Sequence, residues 1–262
     1  MYFASAYFES QILNTFRNIT AAGHRHLYIG LFQTNPGETG TSGTEIVYAG
    51  YERRLINFTS PEAAQNGDAV SISNESDLTF PNSETAAGNA NFIGIFDSPT
   101  GGNMILYGDL AVPLVIGANT RPSILAGDIR YVAQGNFSAI FKEKYLNILR
   151  GHDLDGFVPH WALFSGDPQR GGTEFSEASY RRVPVIYGEV TKTVGEFSRI
   201  ENTETVSFPP PHNNWGLRTH NAIMDAAVGG NLCAAEVEAQ PKEIIRNYRP
   251  AKPQGWSVVT MD

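Results

Sequence analysis

The amino-acid sequence predicts a mainly β fold made of two tandem antiparallel β-sandwich domains, each preceded by a short N-terminal helix. Two observations carry this prediction. The first is the spread of 26 glycines and 15 prolines along 262 residues, which is typical of many short strands joined by frequent turns. The second is an internal repeat. Fifteen of the 48 residues between Phe80 and Gly127 recur identically 128 positions later, whereas unrelated positions agree roughly once in fifteen.

The repeat divides the chain into two units. Identical pairs such as Phe80 with Phe208 and Asp97 with Asp225 share the offset of 128, and the offset grows to 133 towards the start of each unit. Deletions in loops produce a drift of this kind. We place the boundary near residue 140, which gives a first repeat of residues 1–140 and a second, diverged repeat of residues 141–262. Both are of ordinary domain size.

A stripe of apolar residues at helical spacing predicts one short amphipathic helix at the start of each repeat. The stripe consists of Phe8, Ile12, Leu13, Phe16 and Ile19 in the first repeat and of Phe141, Tyr145, Leu146 and Leu149 in the second.

Short β-type runs bounded by Gly, Pro, Asn or Asp follow the first helix, and their spacing favours a sandwich or jelly-roll-like arrangement over alternating βαβ units. The predicted strands are Leu27 to Phe32, Arg54 to Phe58, Val70 to Ser73, Phe92 to Phe96, Met104 to Leu110 and Ile129 to Val132.

Composition excludes several classes of function. A net charge of −8 argues against a sequence-independent grip on nucleic acid, which needs a basic face. No apolar run approaches the roughly 20 residues of a transmembrane helix, so no membrane partner is expected. The N-terminus carries no signal-peptide pattern. The single cysteine allows no internal disulfide, which suits assembly in a reducing cytoplasm.

Asp97 and Asp225 are the acids that recur at the offset of 128, and each precedes a Gly-Gly-Asn sequence. They could belong to a calcium loop or act as catalytic acids. The favoured interpretation is a turn in which Asp binds backbone amides and the glycines supply positive φ. Ser98 and Thr100, which could assist a calcium ion, become Ala226 and Val228 in the second repeat.

Arg53 and Arg54 return as Arg181 and Arg182 before an apolar strand. Paired arginines can bind phosphate or the carboxylates of a partner. The favoured interpretation is structural, with an arginine bound to loop carbonyls or to an acid such as Glu45 or Glu177, which recur upstream in each repeat.

No catalytic constellation, cofactor motif or metal site is predicted, and no site residue of these kinds is assigned. His24 and His26 are a weak metal candidate, and the six histidines do not coincide under the repeat. Cys233 takes the position of Ile105 and is expected to be a small core residue. We therefore expect a protein that is not an enzyme and that needs no cofactor.

The repeats differ in apolar residues. Ile105-Leu106-Tyr107 becomes Cys233-Ala234-Ala235, and Leu114-Val115-Ile116 becomes Lys242-Glu243-Ile244. A strand position that is apolar in one repeat and charged in the other is not core in both, because burying an unpaired charge is costly. Part of the apolar surface of the first repeat is therefore expected to meet the second repeat or another subunit.

The order of motifs resembles a family of small bacteriophage proteins labelled tail fibre or tail-associated proteins. In that family an ALF-x-x-DP strand, a GYxR strand, LTFP and GLFD-x-x-x-GGN follow one another. Here LYIGLFQTNP, GYERRLINF, LTFP and FIGIFDSPTGGN do so, and HWALFSGDP repeats the first motif. The resemblance implies a non-enzymatic structural component of a tailed-phage virion at the tail, adaptor or fibre-attachment region, assembled in the host cytoplasm. Its partners would be other copies of itself and other phage tail or head–tail proteins.

Two alternatives stay open. One is a capsid decoration protein. The other is a glycan-binding module of a tail fibre, in which exposed aromatic residues such as Trp161, Trp215 or Trp256 stack on surface glycans. Burial of these side chains would argue against the second alternative.

Overall fold

The computed structural model describes residues 1–63, 69–192 and 198–261. Strands account for 40% of the structure and helices for 11%, which confirms the mainly β class. The α-helices are α1 (Ala6–Asn14) and α2 (Ala139–Leu146), and short 3-10 helices span Thr15–Arg17, Asn147–Arg150 and Pro168–Arg170. The strands are β1 (Tyr2–Ala4), β2 (Leu27–Phe32), β3 (Arg54–Ile56), β4 (Glu62–Ala63), β5 (Val70–Ser73), β6 (Leu78–Thr79), β7 (Gly88–Phe96), β8 (Met104–Ile116), β9 (Ser123–Ile124), β10 (Arg130–Val132), β11 (His160–Ser165), β12 (Thr173–Glu174), β13 (Val183–Pro184), β14 (Ser198–Glu201), β15 (Val206–Ser207), β16 (Gly216–Met224), β17 (Leu232–Ile244), β18 (Ala251–Lys252) and β19 (Val258–Met261).

The main sheet of the first repeat is antiparallel, with strand order β1-β8-β7-β2-β3. Strands β7 and β8 form a long hairpin in which Ile95 lies opposite Leu106 and Gly94 opposite Tyr107. Ile95 and Leu106 are buried on the inner face. Because side chains alternate along a strand, Gly94 and Tyr107 lie on the outer face.

The second repeat builds the same sheet. Its order β17-β16-β11-β13 corresponds to β8-β7-β2-β3. Where the second repeat has strand β12, the first has a single bridge between Phe32 and Glu45. Where the first repeat has β1, the second has a single bridge between Phe137 and Ala234. The two repeats therefore share one strand order, as the sequence repeat predicts.

Smaller antiparallel sheets complete each repeat. They are β4-β5-β10 and β6-β9 in the first repeat, and β14-β19 and β15-β18 in the second. Val70 on β5 and Ile124 on β9 belong to the same buried cluster as Ile95 on the main sheet. The apolar faces of large and small sheets thus enclose a common core, which is the sandwich arrangement.

Helix α1 begins where Ser5 accepts a hydrogen bond from the backbone amide of Phe8, and α2 begins in the same way at Ser138. A serine oxygen at this position satisfies an amide that has no partner inside the helix. The predicted stripe is buried in both helices, except at Ile19, which is 45% exposed. The prediction for Ile19 is wrong because Asn18 adopts a left-handed backbone, with φ of 59°, and ends the helical path.

The helices contact both repeats. Helix α1 lies against β8 of its own sheet and against β14 and β19 of the second repeat. Helix α2 lies against β17 and against β4 and β5 of the first repeat. Each helix therefore packs against both repeats rather than against its own sandwich alone. Each helix can contact both repeats because the buried residues of the two repeats form a single continuous core.

Aromatic rings fill this shared core. The ring of Phe16 lies 5.8 Å from that of Phe137, 5.1 Å from that of Phe141 and 4.9 Å from that of Phe157. Phe16 is fully buried. Edge and offset contacts at such distances add to the burial of apolar area, so these rings bind the two repeats to each other.

Candidate interaction surfaces

One arginine in each repeat lies between a glutamate and the turn of the long hairpin. Arg53 donates to the two carboxylate oxygens of Glu45, both at 2.9 Å, and to the carbonyl of Gly101 at 2.8 Å. Arg182 donates to the carboxylate of Glu174 at 2.8 and 2.7 Å. Both guanidinium groups are about nine-tenths buried. These bidentate bonds hold a loop against the hairpin, which agrees with the structural interpretation of the arginines.

Of the recurring arginines, one from each repeat occupies the same place in the fold. Arg53 is the counterpart of Arg182, at an offset of 129. Arg54 lies on the surface, with its side chain 40% exposed, and pairs with Glu52. In each repeat, only one of the two adjacent arginines reaches the carbonyls of the hairpin turn.

Glu177 is not the counterpart of Glu45, because Glu174 takes that place. Glu177 is instead an acceptor for a small loop. The hydroxyl and backbone amide of Ser179, together with the side chains of Trp215 and Asn213, lower the pKa of Glu177 to about 2. The donor atoms of Trp215 and Asn213 lie 3.0 and 3.1 Å away. Each donor favours the ionised carboxylate.

Asp97 and Asp225 sit at the ends of β7 and β16 and close the hairpin turns. One oxygen of Asp97 accepts from the backbone amide of Asn103 at 2.7 Å, and the other accepts from its side-chain amide at 2.9 Å. Asp225 makes the same bonds to Asn231 at 2.6 and 2.8 Å, and Lys144 adds an ion pair at 3.1 Å. The glycines between them have positive φ. These contacts agree with the turn interpretation.

The remaining polar candidates do not come together. The Nε2 atom of His24 donates to the side-chain oxygen of Gln11 at 2.9 Å, and burial lowers the pKa of His24. His26 is exposed and lies before strand β2 rather than on it. Within residues 1–63, 69–192 and 198–261, no three His, Cys, Asp or Glu side chains are arranged to hold a metal ion. Cys233 is 1% exposed, and burial raises the pKa of its thiol.

The three tryptophans have different environments. Trp161 is 2% exposed and Trp215 is 8% exposed. Trp161 donates to Asn221 at 3.1 Å inside the core. Trp256 is 68% exposed, on a turn before β19. Of the residues named for glycan stacking, Trp256 alone presents its ring to solvent.

The outer face of the first main sheet carries partly exposed aromatic side chains, whereas that of the second carries the buried Phe164. The ring of Phe3 lies 5.7 Å from the ring of Tyr107 across strands β1 and β8, and Phe92 is partly exposed on the same face. At the counterpart positions the second repeat has Asn136, Ala235 and His220.

Residues 110–113 of β8 leave the ladder with β7, and residues 114–116 pair with β7 again. Four residues of β8 but one residue of β7 lie between the pairs Phe92–Asp109 and Ala90–Leu114, so residues 110–113 bulge outwards. We call residues 110–115 the β8 arm. Val112 and Val115 on this arm are 75% and 72% exposed, and the arm contains no charged residue.

The second repeat has the same bulge, but the corresponding residues include charged side chains. Residues 238–241 of β17 again oppose a single residue of β16, and the corresponding stretch 238–243 contains Glu238, Lys242 and Glu243. The following residue is buried in both repeats, with Ile116 1% exposed and Ile244 fully buried. The contrast between the repeats therefore lies in the arm, and Ile116 belongs to the core.

None of the described helices has the length and apolar character that crossing a membrane requires.

The fold defines a class of protein, a tandem of two mainly β units. The arginine–glutamate pairs and the aspartate turns recur in both units and stabilise loops and turns. The surfaces of the two units differ in apolar character. The chain belongs to the family described as podophage GP4 fiber I protein gp80, which it matches over residues 3–131 and again over residues 136–252. The family confirms the resemblance to phage tail fibre proteins and the duplication. No curated protein matches the chain.

Proposed function

We propose that the protein is a non-enzymatic structural component of a tailed-phage virion, located at the tail, adaptor or fibre-attachment region. It acts there by assembling with other copies of itself and with other tail or head–tail proteins, after synthesis in the host cytoplasm. The family of phage fibre proteins supports a role in the virion. The observation that carries the assembly role is the exposed apolar β8 arm.

The β8 arm has the properties of a contact surface. Val112 and Val115 lie three positions apart on the strand and are largely exposed to water, and exposed apolar surface marks interaction sites. Pro113 on the arm lacks a backbone donor, which discourages indiscriminate strand pairing at this edge. Pro241 occupies the same position in the second repeat. A partner is therefore recognised through the side chains of Val112 and Val115.

The two repeats have different parts in this proposal. The first repeat, with its apolar arm and aromatic outer face, attaches the protein to the particle. The second repeat, with charged residues at the corresponding positions, faces solvent. We also propose that the chain consists of two units that meet near residue 140. The family matches leave residues 132–135 between them, and α2 begins at Ala139, which supports a boundary near residue 140.

The alternatives differ in where the protein is found. A capsid decoration protein would fractionate with tail-less heads, whereas a tail component would fractionate with tails. A glycan-binding role depends on Trp256, since Trp161 and Trp215 are buried. That role concerns a different surface from the arm.

Virion incorporation tests the assembly role. A phage carrying Val112→Asp and Val115→Asp together is compared with wild type by quantitative mass spectrometry of purified particles. Burial of one valine contributes about 1.5–3 kcal/mol, so we expect at least a tenfold loss of incorporated protein, with unchanged soluble protein in the cell.

A matched control uses the second repeat. Val237 on β17 is 67% exposed, and Val237→Asp introduces one carboxylate on the corresponding strand, compared with two in the double arm variant. We expect normal incorporation of this variant. Normal incorporation of the double arm variant would contradict the proposal, and fractionation with tail-less heads would favour decoration of the capsid.

A further inference from the structure

The two repeats share a turn that is anchored by an asparagine. In the first repeat, Asn74 accepts from the amide of Ile129 at 2.9 Å and donates to the carbonyl of Leu125 at 2.9 Å. In the second repeat, Asn202 accepts from the amide of Ser257 at 2.7 Å and donates to the carbonyl of Pro253 at 2.9 Å. The backbones of the two turns are therefore held alike.

In the first repeat, two carboxylates close this turn. Asp77 accepts from the amide of Ala126 at 2.8 Å, and Asp128 accepts from the amide of Leu125 at 3.3 Å. Both carboxylates are thus bonded to backbone amides of their own turn. The backbone amides of Leu125 and Ala126 are therefore satisfied within the first repeat.

In the second repeat, both capping carboxylates are replaced. At the offset of 128, Thr205 stands in place of Asp77 and Trp256 in place of Asp128. Gln254 also replaces Ala126 and brings a side-chain amide to the turn. Trp256 is 68% exposed. A large aromatic ring in water makes no contribution to the core, so the folding of this turn does not explain it.

A shallow pocket of about 230 Å³ adjoins the same turn. Gln254 and Gly255, which precede Trp256, belong to its wall. The other polar groups of the wall come from the end of β14 and from the segments before and after it. They are Glu189, Thr191, Glu201, Asn202 and Thr203. Arg199 lies 3.3 Å from Glu201 and partly balances its charge.

These groups match the chemistry of a sugar ring. A pyranose has an apolar C–H face that packs on an aromatic ring, and hydroxyl groups that bond to carboxylate, amide and hydroxyl side chains. The pocket is smaller than the roughly 300–1,000 Å³ of sites for drug-sized ligands, which suits one ring of a longer chain. Two carboxylates disfavour acidic sugars by repulsion.

We propose that the turn at residues 253–256 of the second repeat, with its adjoining pocket, binds a neutral oligosaccharide through Trp256, Gln254 and Glu201. This site goes beyond the assembly role and lies on the repeat that we assign to the solvent side. The first repeat has no equivalent, because Asp128 stands where the ring is needed.

Trp256 provides its own reporter. Trp161 and Trp215 are shielded from water, so quenching of fluorescence by acrylamide reports mainly on Trp256. Purified full-length protein is titrated with glucose, galactose, mannose, rhamnose and N-acetylglucosamine, up to about 50 mM because single-ring sites are weak, and with neutral polysaccharides such as dextran and galactomannan. We expect at least one probe to protect Trp256 from acrylamide and to give a matching binding isotherm by calorimetry.

Variants separate binding from folding. Trp256→Ala is expected to weaken binding of that probe at least tenfold, Gln254→Ala about threefold, and Trp256→Tyr less than Trp256→Ala. Val228→Ala, at an 89% exposed position on the hairpin turn of the same repeat, is the control and should bind normally. All three positions are exposed, so the thermal midpoints should be unchanged.

The proposal is overturned if none of the probes protects Trp256, or if Trp256→Ala binds as well as wild type. The outcome is independent of the assembly role. Trp256→Ala should enter virions normally, whereas the double arm variant should bind sugar normally and fail to enter virions.

Discussion

Ala21 and Leu154 exchange two backbone hydrogen bonds, one in each direction and both of 2.9 Å. They are 133 positions apart, which is the offset that aligns the two helical stripes, so each residue bonds to its own counterpart. A position meets its counterpart only at a two-fold axis. A pseudo-two-fold axis therefore passes between Ala21 and Leu154 and relates the starts of the two repeats.

The flanking hydrogen bonds obey the same symmetry. The amide of His24 donates to the carbonyl of Ile148 at 2.8 Å, and the amide of Phe157 donates to the carbonyl of Thr15 at 2.9 Å. Adding 133 to His24 and Thr15 gives Phe157 and Ile148, so one bond is the image of the other. The chain is thus built like a homodimer whose subunits are joined covalently, which explains why each helix contacts both repeats.

Two glycines at this axis permit the close crossing of the segments. A Cβ atom at Gly23 would lie 2.3 Å from the carbonyl carbon of Gly151, and one at Gly156 would lie 2.3 Å from that of Asn18. Backbone atoms cannot yield as the end of a side chain can. We expect Gly23→Ala and Gly156→Ala each to lower the free energy of unfolding by about 3 kcal/mol, measured by urea denaturation.

Gly117→Ala is the control for these substitutions. Its Cβ would meet the nearest atom, on Thr120, at 3.4 Å, which is ordinary contact. The change in unfolding free energy should stay within about 0.5 kcal/mol. A Gly156→Ala variant as stable as the Gly117→Ala variant would show that the repeats can separate at the axis without cost.

The buried arginine of each repeat should stabilise the fold. Removing Arg182 by Arg182→Gln leaves Glu174 partly buried without its bidentate partner, and we expect a loss of about 2–3 kcal/mol. The double-mutant cycle with Glu174→Gln should give a coupling energy of at least 1 kcal/mol. Chemical denaturation of the four proteins measures both quantities.

Arg54→Gln provides the comparison. Arg54 and Glu52 are 40% and 66% exposed, and exposed pairs contribute about 0–1 kcal/mol. If Arg182→Gln cost no more than Arg54→Gln, the role of Arg182 in fastening the hairpin would be excluded.

The sequence was sufficient to predict the local elements. Leu27 to Phe32 and Val70 to Ser73 are strands with the predicted bounds, because turn residues and alternation mark strand ends. It could not predict the contacts of α1 with β14 and β19, since a buried stripe does not identify the surface that buries it. The pairing of Glu45 with Glu177 failed because a three-residue shift in a loop leaves no local trace.

Glu177 should make stability depend on pH in the acid range. Its pKa of about 2 lies below the ordinary value of roughly 4.3. A lowered carboxyl pKa stabilises the folded state above the ordinary value, and this stabilisation is lost as pH falls from about 4.3 towards 2. We expect the difference in thermal midpoint between wild type and Glu177→Gln to be constant above about pH 5 and to vanish near pH 2. A difference that does not change with pH would contradict this assignment.

Asp97 and Asp225 close equivalent turns, but Asp225 has the additional ion pair with Lys144 at 3.1 Å. Asp97→Ala removes bonds to the backbone and side chain of Asn103, and we expect a loss of about 1 kcal/mol. Asp225→Ala should lower the free energy of unfolding by about 0.5 kcal/mol more than Asp97→Ala does, because the ion pair with a half-exposed lysine contributes little. In a Lys144→Gln background, the two aspartate substitutions should cost the same. Denaturant unfolding measures these differences, and calcium should shift the thermal midpoint of neither wild type nor variant. A calcium-dependent shift in wild type that disappears in Asp97→Ala would instead identify the turn as a cation site.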